Sequence, residues 1–215
     1  MYKLYWSEGT ASLAPQIILE EAGVEYDIVV IDTAKSQHRT PEYLALNPFG
    51  KIPAMMLPDG SVMTEAAAIC LYLIEEHDIN HLAPKPKSAN RASFLKWIIY
   101  LTNTIQENYK RYYYNDRFLP KGGDIEGIRE IAIKDFVEFW KPIEEQLLAS
   151  NGAFMLGEKI SLLDIYITML VTWFQPMDEL LSIYPTLKNC YDKCNEQTSV
   201  VKSMEMQTKL SIGVI

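Results

Sequence analysis

The chain has 215 residues, a mass of 24.7 kDa, 48% hydrophobic residues and a net charge of −8 with a pI near 5.0. That length supports one or two domains with a core in each, and an acidic balance without a Lys/Arg block argues against nucleic acid as a partner. The longest apolar run, Ile160 to Phe174, is broken by Ser161, Asp164 and Thr168, short of the about 20 residues a membrane span needs, so no membrane partner is expected. Met1-Tyr2-Lys3-Leu4-Tyr5-Trp6 enters strand-like alternation with no apolar signal region, which predicts a cytoplasmic protein. Cys70, Cys190 and Cys194 form no Cys-x-x-Cys pair, and His38, His77 and His81 lack ligand spacing, so neither a disulfide framework nor a metal is expected.

In chain order, Lys3 to Trp6 reads as a short aromatic strand and Ser7 to Ser12 as a small-residue loop. A helix follows from Ser12, with Leu13, Ala14, Ile17, Ile18 and Ala22 at helical spacing and Gly23 ending it. With the strand Tyr26 to Ile31 this makes a βαβ unit, its strands parallel and its crossover right-handed. Ser12 is placed to cap the helix. Pro15 removes one of the N–H groups that a cap would use, so the Ser12 and Thr10 hydroxyls and the loop N–H groups are equally placed to face an anion at the helix start. One hydroxyl can do both jobs.

Thr33 to Tyr43 is polar, with Lys35, His38 and Arg39. Then comes a hairpin, Pro53 to Leu57 and Ser61 to Met63, turned by Pro58-Asp59-Gly60. Pro53 at the head of a strand gives up a ladder hydrogen bond, which leaves Ile52 main-chain groups in need of other partners. A helix runs from Glu65 to about His77 with Ile69, Tyr72 and Leu73 on its apolar side, and Glu65 falls where first-turn N–H groups favour negative charge. The predicted layout is a domain over 1–78, a proline-bearing linker over 79–89, and an all-helical domain over 90–215. Its helices are expected at Asn90 to about Tyr114, Ile125 to about Leu148 and Leu162 to about Phe174, with shorter ones after Pro176 and Pro185. Ser161-Leu162-Leu163-Asp164 reads as a capping box, with Ile160 and Ile165 at staple spacing.

The β-α-β, β-β-α order resembles the thioredoxin-like half of the cytosolic glutathione transferase superfamily, an α/β domain that precedes an all-α helical bundle. The motifs Lys3-Leu4-Tyr5-Trp6-Ser7-x-Gly9-x-x-Ser12-Leu13-Ala14-Pro15, Glu20-x-Ala22-Gly23, Asn47-Pro48-x-Gly50-Lys51-Ile52-Pro53-Ala54 and Asp59-Gly60-x-x-x-Thr64-Glu65 are similar to those of bacterial, beta-like members. The cap at Ser161 extends the resemblance into the helical half.

The resemblance implies a cis proline at Pro53, with the Ile52 main chain pairing with the cysteinyl unit of glutathione. Glu65 and Ala66 would receive the γ-glutamyl unit, Lys35 would reach the glycyl end, and Phe49 would plug into the partner of a homodimer. Beta-like members carry a cysteine where this chain has Ala11, and a histidine-lysine pair where it has Gln106 and Glu107. A hydroxyl is left to hold the glutathione thiolate: Ser12 first, then Thr10, then Tyr5, which can equally be a core aromatic. Tyr109, Tyr112 and Tyr113 stand near the family's electrophile pocket, although tyrosines at helical spacing also serve as packing. The implied function is detoxifying conjugation of glutathione, as co-substrate, to an apolar electrophile. The competing reading is a non-catalytic module of the same fold that binds ligands or proteins, favoured by Ala11, Ala66, Gln106 and Glu107.

Overall fold

In a computed structural model, which describes residues 1–211, the chain forms two compact units, one of Met1–Ala83 together with the stretch from Asn195 on, the other Pro84–Cys194. The first unit holds β1 (Tyr2–Trp6), α1 (Leu13–Ala22), β2 (Tyr26–Val30), α2 (Pro41–Leu46), β3 (Ala54–Met56), β4 (Val62–Thr64), α3 (Ala66–Glu76) and α10 (Thr198–Ser211). The second holds α4 (Arg91–Tyr100), α5 (Gln106–Tyr113), α6 (Ile125–Ala149), α7 (Leu162–Thr172), α8 (Met177–Ile183) and α9 (Pro185–Asn195).

The strands form one sheet in the order β2-β1-β3-β4, with β1 and β2 parallel and the other pairs antiparallel. This is the thioredoxin-like order expected from the sequence. Alternation along β1 sends Tyr2, Leu4 and Trp6 to one buried face and Lys3 and Tyr5 to the other. The Tyr5 face carries a small core of Ile31, Tyr43 and Ala54, with Tyr5, Val29, Ile52 and Val62 packed against it. The helices α1 and α3 pack on each other through fully buried residues such as Ile17, Ile18, Ile69 and Leu73. Gly23 ends α1 in the left-handed conformation (φ 65°), where a side chain would be strained. The last helix, α10, packs on α1, and the Tyr26 hydroxyl donates to Glu20 at 2.6 Å with the Met206 sulfur 3.8 Å away.

In the second unit α4 runs into α5 through a π-helical segment, Leu101–Ile105, so the single long helix expected from Asn90 carries a widened turn. Phe94, Trp97, Ile98, Leu101 and Ile105 are buried at helical spacing along this stretch. Residues Leu162 to Val171 of α7 are buried all round. At its start the fully buried Asp164 carboxylate accepts the Ser161 N–H (2.8 Å), the Ser161 hydroxyl (2.7 Å), the Met155 N–H (2.7 Å) and the Cys190 thiol (3.5 Å). Glu144 of α6 likewise accepts the N–H groups of Thr186 (2.9 Å) and Leu187 (2.7 Å) at the start of α9. All three cysteines are free and buried, and no group of His, Cys, Asp or Glu able to hold a metal occurs among the described residues. No helix there is long and apolar enough to cross a membrane.

Candidate functional site

Strand register brings three segments to one end of the sheet. Tyr5 pairs with Ala54, so the chain leaving β1 at Ser7 runs beside the chain entering β3 at Ile52 and Pro53. Ala54 pairs with Thr64, so Glu65 follows one step past the strand that faces Pro53. The β1–α1 loop, Ile52-Pro53 and the start of α3 therefore meet at that end.

The β1–α1 loop is tied by its hydroxyls. Thr10 donates to the Ser7 carbonyl at 2.8 Å, Ser12 donates to the same carbonyl at 3.1 Å, and the two hydroxyl oxygens lie 2.9 Å apart. The Ser7 N–H reaches Ser12 Oγ at 3.4 Å. Ser12 is fully buried while Thr10 is half-buried. Contrary to the expected cap, the Ser12 side chain makes no capping hydrogen bond to α1. The physical reason is its backbone, φ −71° and ψ −18°, which is already helical, whereas a capping side chain needs the extended conformation to reach back over the first turn. Ala11 is buried between the two hydroxyl residues.

The Ile52–Pro53 peptide is cis. The main chain of Ile52 lies outside the strand register, and its polar groups bond to no other group among the described residues. The residue before it is held firmly: the Lys51 carbonyl accepts the Tyr43 hydroxyl and the Asn47 side-chain amide, both at 2.7 Å. Burial pushes the Tyr43 phenol up from its ordinary value, which keeps it a donor. Asn47 also accepts the Phe49 N–H at 3.2 Å. Arg39 donates to the Phe49 carbonyl at 3.4 Å, over Gly50 in the left-handed conformation (φ 57°), where a Cβ would lie 2.7 Å from Arg39 Nη1. Tyr43, Arg39 and Asn47 are thus the bracing residues that sequence reasoning did not single out. Asn47 stood inside a recognised motif, but nothing in the sequence links Tyr43 to a carbonyl eight positions on.

Glu65 is exposed and takes φ 67°, ψ 103°, a conformation that costs a non-glycine residue about 1–3 kcal/mol. It makes no side-chain cap to α3, and the first N–H used inside that helix is that of Ile69, on the Glu65 carbonyl at 3.0 Å. The N–H groups of buried Ala66 and of Ala67 and Ala68 precede it without intrahelical partners, a donor set suited to an anion.

The other predicted residues are scattered by comparison. Lys35 is largely exposed (78%) and pairs with Asp32 at 2.9 Å, and that contact lowers the Asp32 carboxyl and raises the lysine. Tyr5 packs edge-on to Tyr43, ring centroids 6.0 Å apart, in the small core on its face of the sheet. Phe49 is 67% exposed at its loop tip.

In the helical unit, Tyr109 is packed as a core residue rather than an exposed wall: it is 2% exposed, its hydroxyl donates to the Leu170 carbonyl at 2.7 Å, and its ring lies against Phe136 and Trp173. Tyr113 is 48% exposed with its hydroxyl donated to the Trp173 carbonyl, and Tyr112 is half-buried. Gln106 accepts the Tyr166 hydroxyl at 2.6 Å, and Glu107 pairs with Lys110.

The sheet is thioredoxin-like, and its proline-led strand leaves main-chain groups open beside an acidic helix start. Two family models match the chain, the glutathione S-transferase N-terminal domain over residues 12–76 and the glutathione S-transferase C-terminal domain over residues 126–205. The glutathione S-transferase GstA of Escherichia coli O157:H7 is 26% identical over 182 residues, 80% of this chain and 81% of that protein. A Sulfitobacter glutathione transferase homologue solved with bound glutathione superposes with a TM-score of 0.88 at 25% identity, over 96% of this chain and 98% of the other. A glutathione transferase from Methylococcus capsulatus gives a TM-score of 0.84 at 26% identity, over the whole of both chains. The chain belongs to the cytosolic glutathione transferase superfamily.

Proposed function

We propose that this protein is a glutathione transferase that binds glutathione at the Ile52–Glu65 end of its sheet and conjugates the thiolate to an apolar electrophile. The observation that carries the reading is the pair of open main-chain sets at one sheet end, the Ile52 N–H and C=O and the first N–H groups of α3. A peptide can pair with the first as an added strand. Its γ-glutamyl carboxylate meets the Ala66 N–H and the helix dipole, and its ammonium meets the exposed Glu65 carboxylate. Lys35 stands for the glycyl carboxylate, at the cost of leaving Asp32.

The thiolate is held by a hydroxyl of the β1–α1 loop. Of the two, half-buried Thr10 is the better placed to turn its proton outward, while buried Ser12 takes over the Ser7 carbonyl and fixes Thr10 from behind. A hydrogen bond to the thiolate form, together with the open helix start, lowers the thiol pKa and raises the fraction ready to attack. Without a cysteine at Ala11 no mixed disulfide with glutathione can form there, so the chemistry is direct attack. The solvent-exposed Phe49 is read as the contact of a homodimer.

A second reading, a glutathione-binding module without turnover, draws on Gln106 and Glu107, which are engaged inside the helical unit with Tyr166 and Lys110. Calorimetric titration with glutathione and a conjugation assay with a model aryl halide, on wild type and Thr10→Val, distinguish the two. Turnover that falls in Thr10→Val with glutathione affinity kept supports the transferase. Binding with no turnover in the wild type selects the module.

A further inference from the structure

The Lys51–Ile52 peptide is provided for unequally on its two edges. Its carbonyl takes donors from two buried side chains, the Tyr43 hydroxyl and the Asn47 amide, each at 2.7 Å. Its N–H, on Ile52, bonds to no other group among the described residues. Both donors are fixed in their turn. The Tyr43 ring stands edge-on to Tyr5, ring centroids 6.0 Å apart, in the small core on that face of the sheet, and burial keeps its phenol protonated. Asn47 has its Oδ1 committed to the Phe49 N–H at 3.2 Å, which turns Nδ2 towards the Lys51 carbonyl. Its main chain is tied as well, the N–H to the Tyr43 carbonyl at 2.9 Å and the carbonyl to the Gly50 N–H at 2.8 Å.

A planar peptide carries this fixing from one edge to the other. The Lys51–Ile52 bond is trans, so its C=O and N–H point in opposite directions within one plane. Two donors on the carbonyl use both of its lone pairs and hold that plane against rotation. The Ile52 N–H is thereby aimed away from Tyr43 and Asn47. The Ile52 carbonyl belongs to the next peptide plane and is not held by this pair. A loop braced only for its own stability would satisfy both edges of the peptide, because an unpaired N–H costs free energy. Here the supply of partners stops at the carbonyl.

We infer that Tyr43 and Asn47 are positioning residues for glutathione: by clamping the Lys51 carbonyl they aim the Ile52 N–H at the cysteinyl carbonyl of the ligand. The inference rests on the proposed glutathione site, in which the cysteinyl unit pairs with the Ile52 main chain. It divides that pairing in two. The contact made by the Ile52 N–H depends on the clamp, and the contact made by the Ile52 carbonyl does not.

The test is calorimetric titration of wild type and Tyr43→Phe with glutathione and with γ-glutamylcysteamine, which keeps the thiol and the γ-glutamyl unit but has no cysteinyl carbonyl. Tyr43→Phe is expected to weaken glutathione binding about threefold to tenfold, the size of one hydrogen bond, and to leave γ-glutamylcysteamine binding as it was. Asn47→Ala removes the other donor and is expected to give the same selective loss. Unaltered glutathione affinity in Tyr43→Phe overturns the proposal, and so does an equal loss for the two ligands, because a merely loosened loop weakens both. Should Tyr43→Phe fail to fold in a thermal melt, Asn47→Ala decides by the same two criteria. A wild type that binds neither ligand refutes the glutathione site itself, an outcome distinct from a wild type that binds both and a variant that does not discriminate between them.

Discussion

Of the acidic residues at helix starts in this chain, Asp164 and Glu65 are treated in opposite ways. Asp164 opens α7 fully buried, and its carboxylate accepts four hydrogen bonds, from Ser161 twice, Met155 and Cys190. Glu65 opens α3 exposed, caps nothing, and holds a backbone conformation that side chains disfavour. The first arrangement spends every polar group on the fold. The second leaves the carboxylate, the following N–H groups and the neighbouring Ile52 main chain open at a stability cost, as the proposed glutathione site requires.

That contrast can be broken in graded steps. The largest effect is expected of Asp164→Ala, which strands the Ser161 and Met155 N–H groups in a dry interior and should cost about 3 kcal/mol or more of unfolding free energy. Urea denaturation measures it, and an unchanged midpoint would remove Asp164 from the stabilising side of the contrast. Next, Glu65→Ala should weaken glutathione binding by about 2 kcal/mol, roughly 30-fold, with stability intact. Calorimetry beside thermal melting separates the two quantities.

Thr10→Val should lower conjugation at saturating glutathione about tenfold or more, through loss of the hydrogen bond to the thiolate. Ser12→Ala, by the same logic, should act on stability by about 1 kcal/mol because it unties the loop around the Ser7 carbonyl. Equal kinetic losses in the two variants would show that the hydroxyls are not divided in this way. Phe49→Ser should raise the dimer dissociation constant about tenfold in sedimentation experiments, and a wild type that sediments as a monomer at micromolar concentration removes the dimer. The smallest effect sharpens the contrast most: Glu65→Gly should gain about 1 kcal/mol of stability by relieving the positive φ, while losing glutathione.

Much of the fold was legible because it follows from periodicity and punctuation. The βαβ unit, the Pro58-Asp59-Gly60 hairpin and the Gly23 stop were each signalled by residue types with one main structural use. The Ser12 cap misread a shared signal: serine before an apolar helix is ordinarily extended, but here the chain enters helical geometry at Ser12 itself and turns the hydroxyl into the loop. Tyr109, Tyr112 and Tyr113 share one stretch of helix, and only the packing of α6 and α7 decides that the first is core and the last exposed. The π-helical turn at Leu101–Ile105 and the division of the C-terminal stretch into α9 and α10 left no mark of Gly or Pro to read. Among the candidate site residues, the Ile52 main chain and Glu65 were readable because a strand-leading proline and an acidic helix start have physical consequences. The brace from Tyr43 to Lys51 was not, because it depends on how α2 lies on the sheet.

The central claim is that the open groups around Glu65 exist to hold the γ-glutamyl unit of glutathione. Calorimetric titration with glutathione and with cysteinylglycine, which lacks that unit, tests it directly in wild type and Glu65→Ala. The account predicts a marked wild-type preference for glutathione that largely disappears in the variant, while cysteinylglycine affinity stays the same in both. Glutathione affinity unaltered by Glu65→Ala would contradict it.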